Sequence, residues 1–199
     1  ILGYNESFRK QAREYQQFHP AEAKQLLKLG MEELKIDDPP TLTMLSYNDE
    51  RKDVAVVLKD QLEKNLGLEV KVIPQPLKQK IDLETKGEFD LCFAGWKADY
   101  NDPMTFLDIW VSNGPFNTGK WSNKKYDELV KKSKSNPDFK QRINDLIEAE
   151  RILLEDGVAI APVYYKNQSY LVKPHVKNLY FHSIGPEYTL KETFIEKKK

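Results

Sequence analysis

Thr41-Leu42-Thr43-Met44-Leu45, Leu68-Glu69-Val70-Lys71-Val72 and Phe89-Asp90-Leu91-Cys92-Phe93-Ala94 are the three runs that decide the fold. The first two alternate apolar and polar side chains with the period of two that a strand requires, and the third is apolar almost throughout. Between the first two runs, Val54, Val57, Leu58, Leu62 and Leu66 recur at helical spacing, and Gly67 follows as a C-cap. Between the second and third, Pro74 and Pro76 break the strand, and residues 77–86 read as a short helix ending before Gly87. The order is β-α-β-α-β, the pattern of a parallel sheet joined by right-handed crossovers. The expected class is therefore α/β, with a mainly parallel sheet and helices on both faces.

Upstream, residues 5–18 are polar and mixed, a loop or an irregular helix. His19-Pro20 opens a helix whose apolar positions include Leu26, Leu27, Met31 and Leu34, and Asp37-Asp38-Pro39-Pro40 ends it. Downstream, helical patterns dominate from 103 to 156. Met104 to Val111 forms a short one, Ser122 caps a second, and Asn136-Pro137-Asp138 introduces a third. In the third, Phe139, Ile143, Leu146, Ile147, Leu153 and Leu154 share a face, and Gly157 ends it. Val158 to Tyr165 predicts a fourth sheet strand, kept to an edge or a bulge by Pro162. Ser169–Val172 and Val176–Tyr180 read as short strands ahead of a polar tail that ends in three lysines.

Composition narrows the function. The 199 residues carry 31 basic and 31 acidic side chains, a balance that argues against a nucleic-acid binder. No apolar run approaches the ~18–20 residues of a membrane span. Cys92 is the single cysteine, so an intrachain disulfide and a cysteine-rich metal site are excluded and a buried structural thiol is expected. His19, His175 and His182 lie far apart and read as surface residues. No metal or cofactor is expected. The chain begins at Ile1 without Met, a signal peptide or a lipobox cysteine, which suggests a piece cut from a longer polypeptide.

Beyond the third strand, Trp96, Asp99, Tyr100, Asn101 and Asp102 cluster ahead of Pro103. Such a cluster builds a polar-rimmed pocket at the carboxyl end of a sheet, where open α/β folds hold their ligands. Asp102, directly before the proline, is the expected helix cap, which leaves Asp99 for a ligand. Asp99 and Asp102 also raise the possibility of paired carboxylates for glycoside hydrolysis. They are only three residues apart with no second acidic cluster, and the chain has no G-x-S-x-G turn, H-E-x-x-H motif or phosphate loop. No catalytic residue is expected.

Phe93-Ala-Gly-Trp-Lys-Ala-Asp-Tyr-Asn-Asp-Pro103 closely resembles the motif of the extracellular solute-binding proteins, family 5, the oligopeptide- and dipeptide-binding components of ABC importers. Asn117-Thr-Gly-Lys-Trp-Ser-Asn-Lys-Lys-Tyr-Asp-Glu-Leu129, Ala161-Pro-Val-Tyr-Tyr165 and Val172-Lys-Pro-His-Val-Lys-Asn-Leu-Tyr180 fit the same pattern in order. The resemblance implies a periplasmic-binding-protein-like lobe over residues 1–168, the C-terminal lobe of two that close over a ligand. Residues 169–199 are then expected to return to the other lobe, or to associate with a second copy. It implies a peptide ligand, membrane permease subunits as partners, and a place on the extracellular face of the membrane, lipid-anchored, or in the periplasm.

In residue terms, the resemblance implies that Asp99 receives the peptide's free α-amino group. A carboxylate in a closing cleft gives such an ammonium roughly 1.5–3 kcal/mol. Trp96, Tyr100 and Asn101 would line the same pocket. Of Tyr164 and Tyr165, strand alternation turns one to the cleft and one away. The positions where studied oligopeptide binders place basic side chains for the peptide carboxylate correspond to Glu84 and Phe93, neither basic. Lys52, Lys78, Lys80 or Lys86 could substitute, but each reads rather as part of a solvated helix face, so the departure favours anchoring at the amino end only, or a different ligand. The same fold would also suit a peptide-sensing receptor, or a binder of nickel complexes, haem or short sugars.

Overall fold

The structure, a computed structural model, describes residues 1–197, so Lys198 and Lys199 of the lysine tail lie outside the described residues. The helices in chain order are α1 (Phe8–Gln11), α2 (Pro20–Leu34), α3 (Arg51–Leu66), α4 (Leu77–Lys86), α5 (Met104–Leu107), α6 (Lys124–Ser135) and α7 (Phe139–Arg151). The strands are β1 (Leu42–Tyr47), β2 (Val70–Gln75), β3 (Leu91–Cys92), β4 (Val176–Lys177), β5 (Tyr180–Phe181), β6 (Tyr188–Thr189) and β7 (Phe194–Ile195). They form two compact units. One holds residues 16–95 and 115–121, and the other holds residues 1–15, 96–114 and those from Ser122 onward.

The 16–95 unit is the predicted β-α-β-α-β block. Its sheet order is β2-β1-β3, with β1 parallel to both neighbours and Leu42 opposite Val70, Met44 opposite Leu91. The chain steps from β1 to one side and then crosses to the other. With right-handed crossovers this puts α3 and α4 on opposite faces and makes a topological switch beside β1. Four consecutive buried residues, Met44 to Tyr47, show that β1 is covered on both faces. Gly67 and Gly87 end α3 and α4 at φ 72° and 74°, a left-handed conformation that costs other residues about 1–2 kcal/mol.

The core of this unit is Met44, Tyr47, Ala55, Leu68, Val70 and Phe93, with Leu27, Val54, Leu58, Leu62 and Leu66 packed against it. Val57, expected on the buried stripe of α3, is 53% exposed, and Ala55 is fully buried in its place. The small side chain lets the helix backbone approach the sheet, which rotates the stripe away from Val57.

The other unit is built on α6 and α7, which pack together after a short Asn136-Pro137-Asp138 turn. Tyr126, Val130, Ile143, Leu146, Ala149, Ile152 and Leu153 form its buried interior. Tyr126 donates its buried hydroxyl to Leu107 O and so fixes α5 to α6. The cap of α6 is Asn123, whose Oδ1 accepts Tyr126 N–H at 3.0 Å, rather than Ser122, whose hydroxyl instead meets that of Ser112 at 2.9 Å. Asp138 caps α7 through Gln141 N–H at 3.0 Å.

Residues 158–165 form no strand, contrary to the sequence reading. Pro162 removes a donor, and residues 161–170 are all exposed. Ser169–Val172 is likewise unpaired. Beyond it, β4 pairs with β7 and β5 with β6, both antiparallel.

Candidate ligand-binding site

The loop from Trp96 to Asp102 is held from below by buried Pro103, Met104, Thr105 and Leu107. Asp102 does most of the holding. Its Oδ1 accepts Met104 N–H at 2.9 Å, the expected capping contact. The same carboxylate takes a two-pronged ion pair from Arg142 of α7, at 2.7 and 2.8 Å, while Arg142 Nε donates to Ser133 O at 2.8 Å. Hydrogen bonding to Asp102 raises the Arg142 pKa. Asp102 thereby fastens the loop to both long helices of its unit.

Asp99 is used differently. Its backbone N–H donates to Thr105 Oγ1 at 3.1 Å, which fixes where the residue sits. Its carboxylate is exposed and, among the described residues, accepts no hydrogen bond and meets no cation. An anchored backbone carrying an uncommitted carboxylate is an arrangement ready to receive a cation. Tyr100 beside it is 47% exposed, and burial followed by the Asp108 and Asp102 carboxylates raises its pKa. Trp96 is 38% exposed. Asn101 spends its Oδ1 on Leu2 N–H at 3.0 Å, so its side chain also ties the N-terminal residues to the loop.

Tyr164 and Tyr165 lie on an irregular segment rather than in a strand. The Tyr165 hydroxyl interacts with the guanidinium of Arg9, which is itself forked onto Glu150 at 2.9 and 2.6 Å. Neither tyrosine shares a hydrogen bond or ring contact with the 96–101 loop among the described residues. The four loop residues thus share one short loop, and the two tyrosines belong to a separate segment.

Two residues that sequence reasoning passed over matter here. Arg142 lies 40 positions from Asp102, and nothing in its neighbourhood marks it as a partner. Thr105 sits inside α5, where its hydroxyl gave no signal of reaching back to Asp99. In the 16–95 unit, Lys80 also departs from expectation. It is 1% exposed, not a solvated residue of α4. Its ammonium pairs with Glu84, reaches Cys92 Sγ at 3.4 Å and lies 4.3 Å from the Tyr47 ring centre. Burial works against that charge, but Glu84 and then Cys92 offset it, and the Lys80 pKa is raised. Burial and the Glu84 carboxylate push the Cys92 thiol up to about 12, so it is an inert structural thiol.

With this geometry established, the chain can be set beside known proteins. The sequence model of the bacterial extracellular solute-binding proteins, family 5, matches residues 1–118, more than half of the chain. The chain belongs to this family. Dipeptide-binding protein DppE of Bacillus subtilis is 31% identical over 166 residues, taking in 83% of this family-5 chain and 30% of DppE. The solved substrate-binding domain of an oligopeptide ABC transporter from Bacillus anthracis matches with a TM-score of 0.90 and 36% identity, over 99% of this chain and 39% of that one. OppA of Listeria monocytogenes bound to peptide matches with a TM-score of 0.85 and 35% identity, over 97% of this chain and 37% of that one. The family-5 chain therefore spans about a third of the length of these relatives, and its fold is that of a periplasmic-binding-protein-like α/β lobe. The family consists of extracellular solute-binding proteins, and the relatives named above are a dipeptide-binding protein, the substrate-binding domain of an oligopeptide transporter and an OppA bound to peptide. No helix among the described residues is long and apolar enough to cross a membrane.

Proposed function

We propose that this chain is the ligand-contacting C-terminal lobe of a peptide-capturing component of an ABC importer. Asp99 receives the amino terminus of an oligopeptide, and Trp96, Tyr100, Asn101, Tyr164 and Tyr165 supply its sequence-tolerant walls. The observation that carries the reading is the contrast between two neighbouring carboxylates. Asp102 is fully committed to Met104 and Arg142, whereas Asp99 is held by its backbone with its charge uncommitted. A free ammonium is the ligand group that such a carboxylate selects. Exposed aromatic walls accept many side chains, as a carrier of varied peptides requires.

The intact protein closes a second lobe over the ligand, and residues 169–199 return to that lobe. Their exposed Leu171, Tyr180, Leu190, Phe194 and Ile195 support an assignment to a partner surface, and in the isolated chain the same surface would pair with a second copy. The protein performs no catalysis; it delivers ligand to membrane permease subunits from the extracellular face, lipid-anchored, or from the periplasm. Native mass spectrometry of the intact protein, purified with its natural ligand, tests this. Peptides with free amino termini are expected, and a metal complex, haem or sugar as the co-purified species would refute it.

A further inference from the structure

Helix α7 does not end as an α-helix. It runs on into a π turn, Ile152–Asp156, in which Gly157 N–H donates to Ile152 O at 2.8 Å. A π turn holds one residue more than an α turn. The extra residue displaces the cap: Val158 takes the left-handed position, at φ 41°, while Gly157 remains right-handed at φ −96° and ψ −18°. Ala159 N–H then closes the turn on Leu153 O at 3.0 Å. A β-branched side chain thus occupies the conformation that favours glycine, and the glycine stands one position too early.

We propose that the end of α7 is a two-register switch. In the second register Asp156 N–H bonds to Ile152 O as in an α-helix, Gly157 takes the left-handed cap, and Val158 N–H replaces Ala159 N–H on Leu153 O. The two acceptor carbonyls are the same in both registers, and only the donors step back by one. The observed register is held by Arg151 on Asp156 at 2.6 Å and by Arg13 on Glu155, whose carboxylates are 48% and 40% exposed. Exposed pairs of this kind are weak, comparable in size to the left-handed penalty at Val158, so the two registers lie close in energy.

The switch releases one residue into the segment that follows. That segment carries Tyr164 and Tyr165, so a slide of one residue changes how far each of them reaches from the end of α7. Resting on the ligand-wall reading above, the register sets where Tyr164 and Tyr165 meet the peptide.

Amide hydrogen exchange by NMR on this chain tests the switch without a ligand, so its failure leaves the Asp99 reading untouched. In the wild type the amides of Val158 and Ala159 share one carbonyl, and both are expected to show partial protection. Val158→Gly removes the left-handed penalty and favours the observed register by roughly five- to thirtyfold. Protection at Ala159 should rise and that at position 158 should fall accordingly. Gly157→Ala fits the observed right-handed backbone and disfavours the alternative, so it should abolish protection at position 158 while Ala159 keeps its own. A Val158 amide that exchanges at the unprotected rate in the wild type overturns the proposal. So does Ala159 protection that Val158→Gly leaves unchanged.

Discussion

Asp99 and Asp102 share a loop and a chemistry, yet replacing each with alanine should have very unequal effects on stability. Asp102→Ala strands the Arg142 guanidinium, which is 15% exposed and loses both contacts of its fork. Breaking a buried pair costs about 3–5 kcal/mol, and the partial exposure of both partners reduces this to about 2–3. Losing the acceptor for Met104 N–H adds about 1 kcal/mol, for a total of about 3–4. At roughly 2–4 °C per kcal/mol for a chain of this size, thermal unfolding by circular dichroism should shift down by roughly 6–16 °C. Asp99→Ala removes a carboxylate with no hydrogen-bond or ion-pair partner among the described residues and should stay within about 0.5 kcal/mol of wild type. Pairing Asp102→Ala with Arg142→Met in a double-mutant cycle should recover about 2 kcal/mol, because the stranded charge is removed as well. Equal destabilisation by Asp99→Ala and Asp102→Ala would refute the division of labour between them.

Three further outcomes follow from the same structure. This chain alone should bind peptide feebly, because retaining half of a micromolar interaction of about −8 kcal/mol leaves about −4, near millimolar; submicromolar binding measured by calorimetry would overturn the two-lobe reading. Hydrogen bonds from Arg51 to Asp49, and from Arg151 and Lys125 to Glu148, lower those carboxylates to about 2 from ordinary values of 3.8 and 4.5. Because the folded pKa values are depressed, their contribution is present above the ordinary values. It should be lost as pH falls from about 4.5 towards 2 in a thermal-unfolding series, and high salt should flatten that slope. Finally, sedimentation should show concentration-dependent self-association that Leu171→Asp abolishes, since Leu171 is fully exposed on the unpaired apolar surface; a wild type that stays monomeric at high concentration would contradict that assignment.

The parts of the fold legible in the sequence were those set by local periodicity. β1 and β2 alternate, Gly67 and Gly87 mark left-handed caps, and Asp138 precedes α7 at capping distance, so each element announced itself. Residues 158–165 misled because an apolar run carries no information about whether an edge exists to pair with it. The displaced cap at Val158 was hidden for a related reason: Gly157 gives the usual helix-stop signal, and only the π turn moves the left-handed position past it. Lys80 reads as solvated because a lysine on a short helix normally faces water, whereas here Glu84, Cys92 and Tyr47 converge on its ammonium from three elements. In the site, the motif around Asp99 was visible but the support of Asp102 by Arg142 was not, since an ion pair spanning two distant segments leaves no local pattern.

The central claim is that the Asp99 carboxylate reads a peptide's free amino terminus. Calorimetry on the intact two-lobed protein, comparing wild type with Asp99→Ala, tests it against one peptide in free and N-acetylated forms. A charge-assisted contact of roughly 1.5–3 kcal/mol predicts a loss of about tenfold to 150-fold for the free peptide. The acetylated peptide, already a poor ligand, should bind both proteins alike. An equal loss of affinity for the two peptides would show that Asp99 does not read the amine.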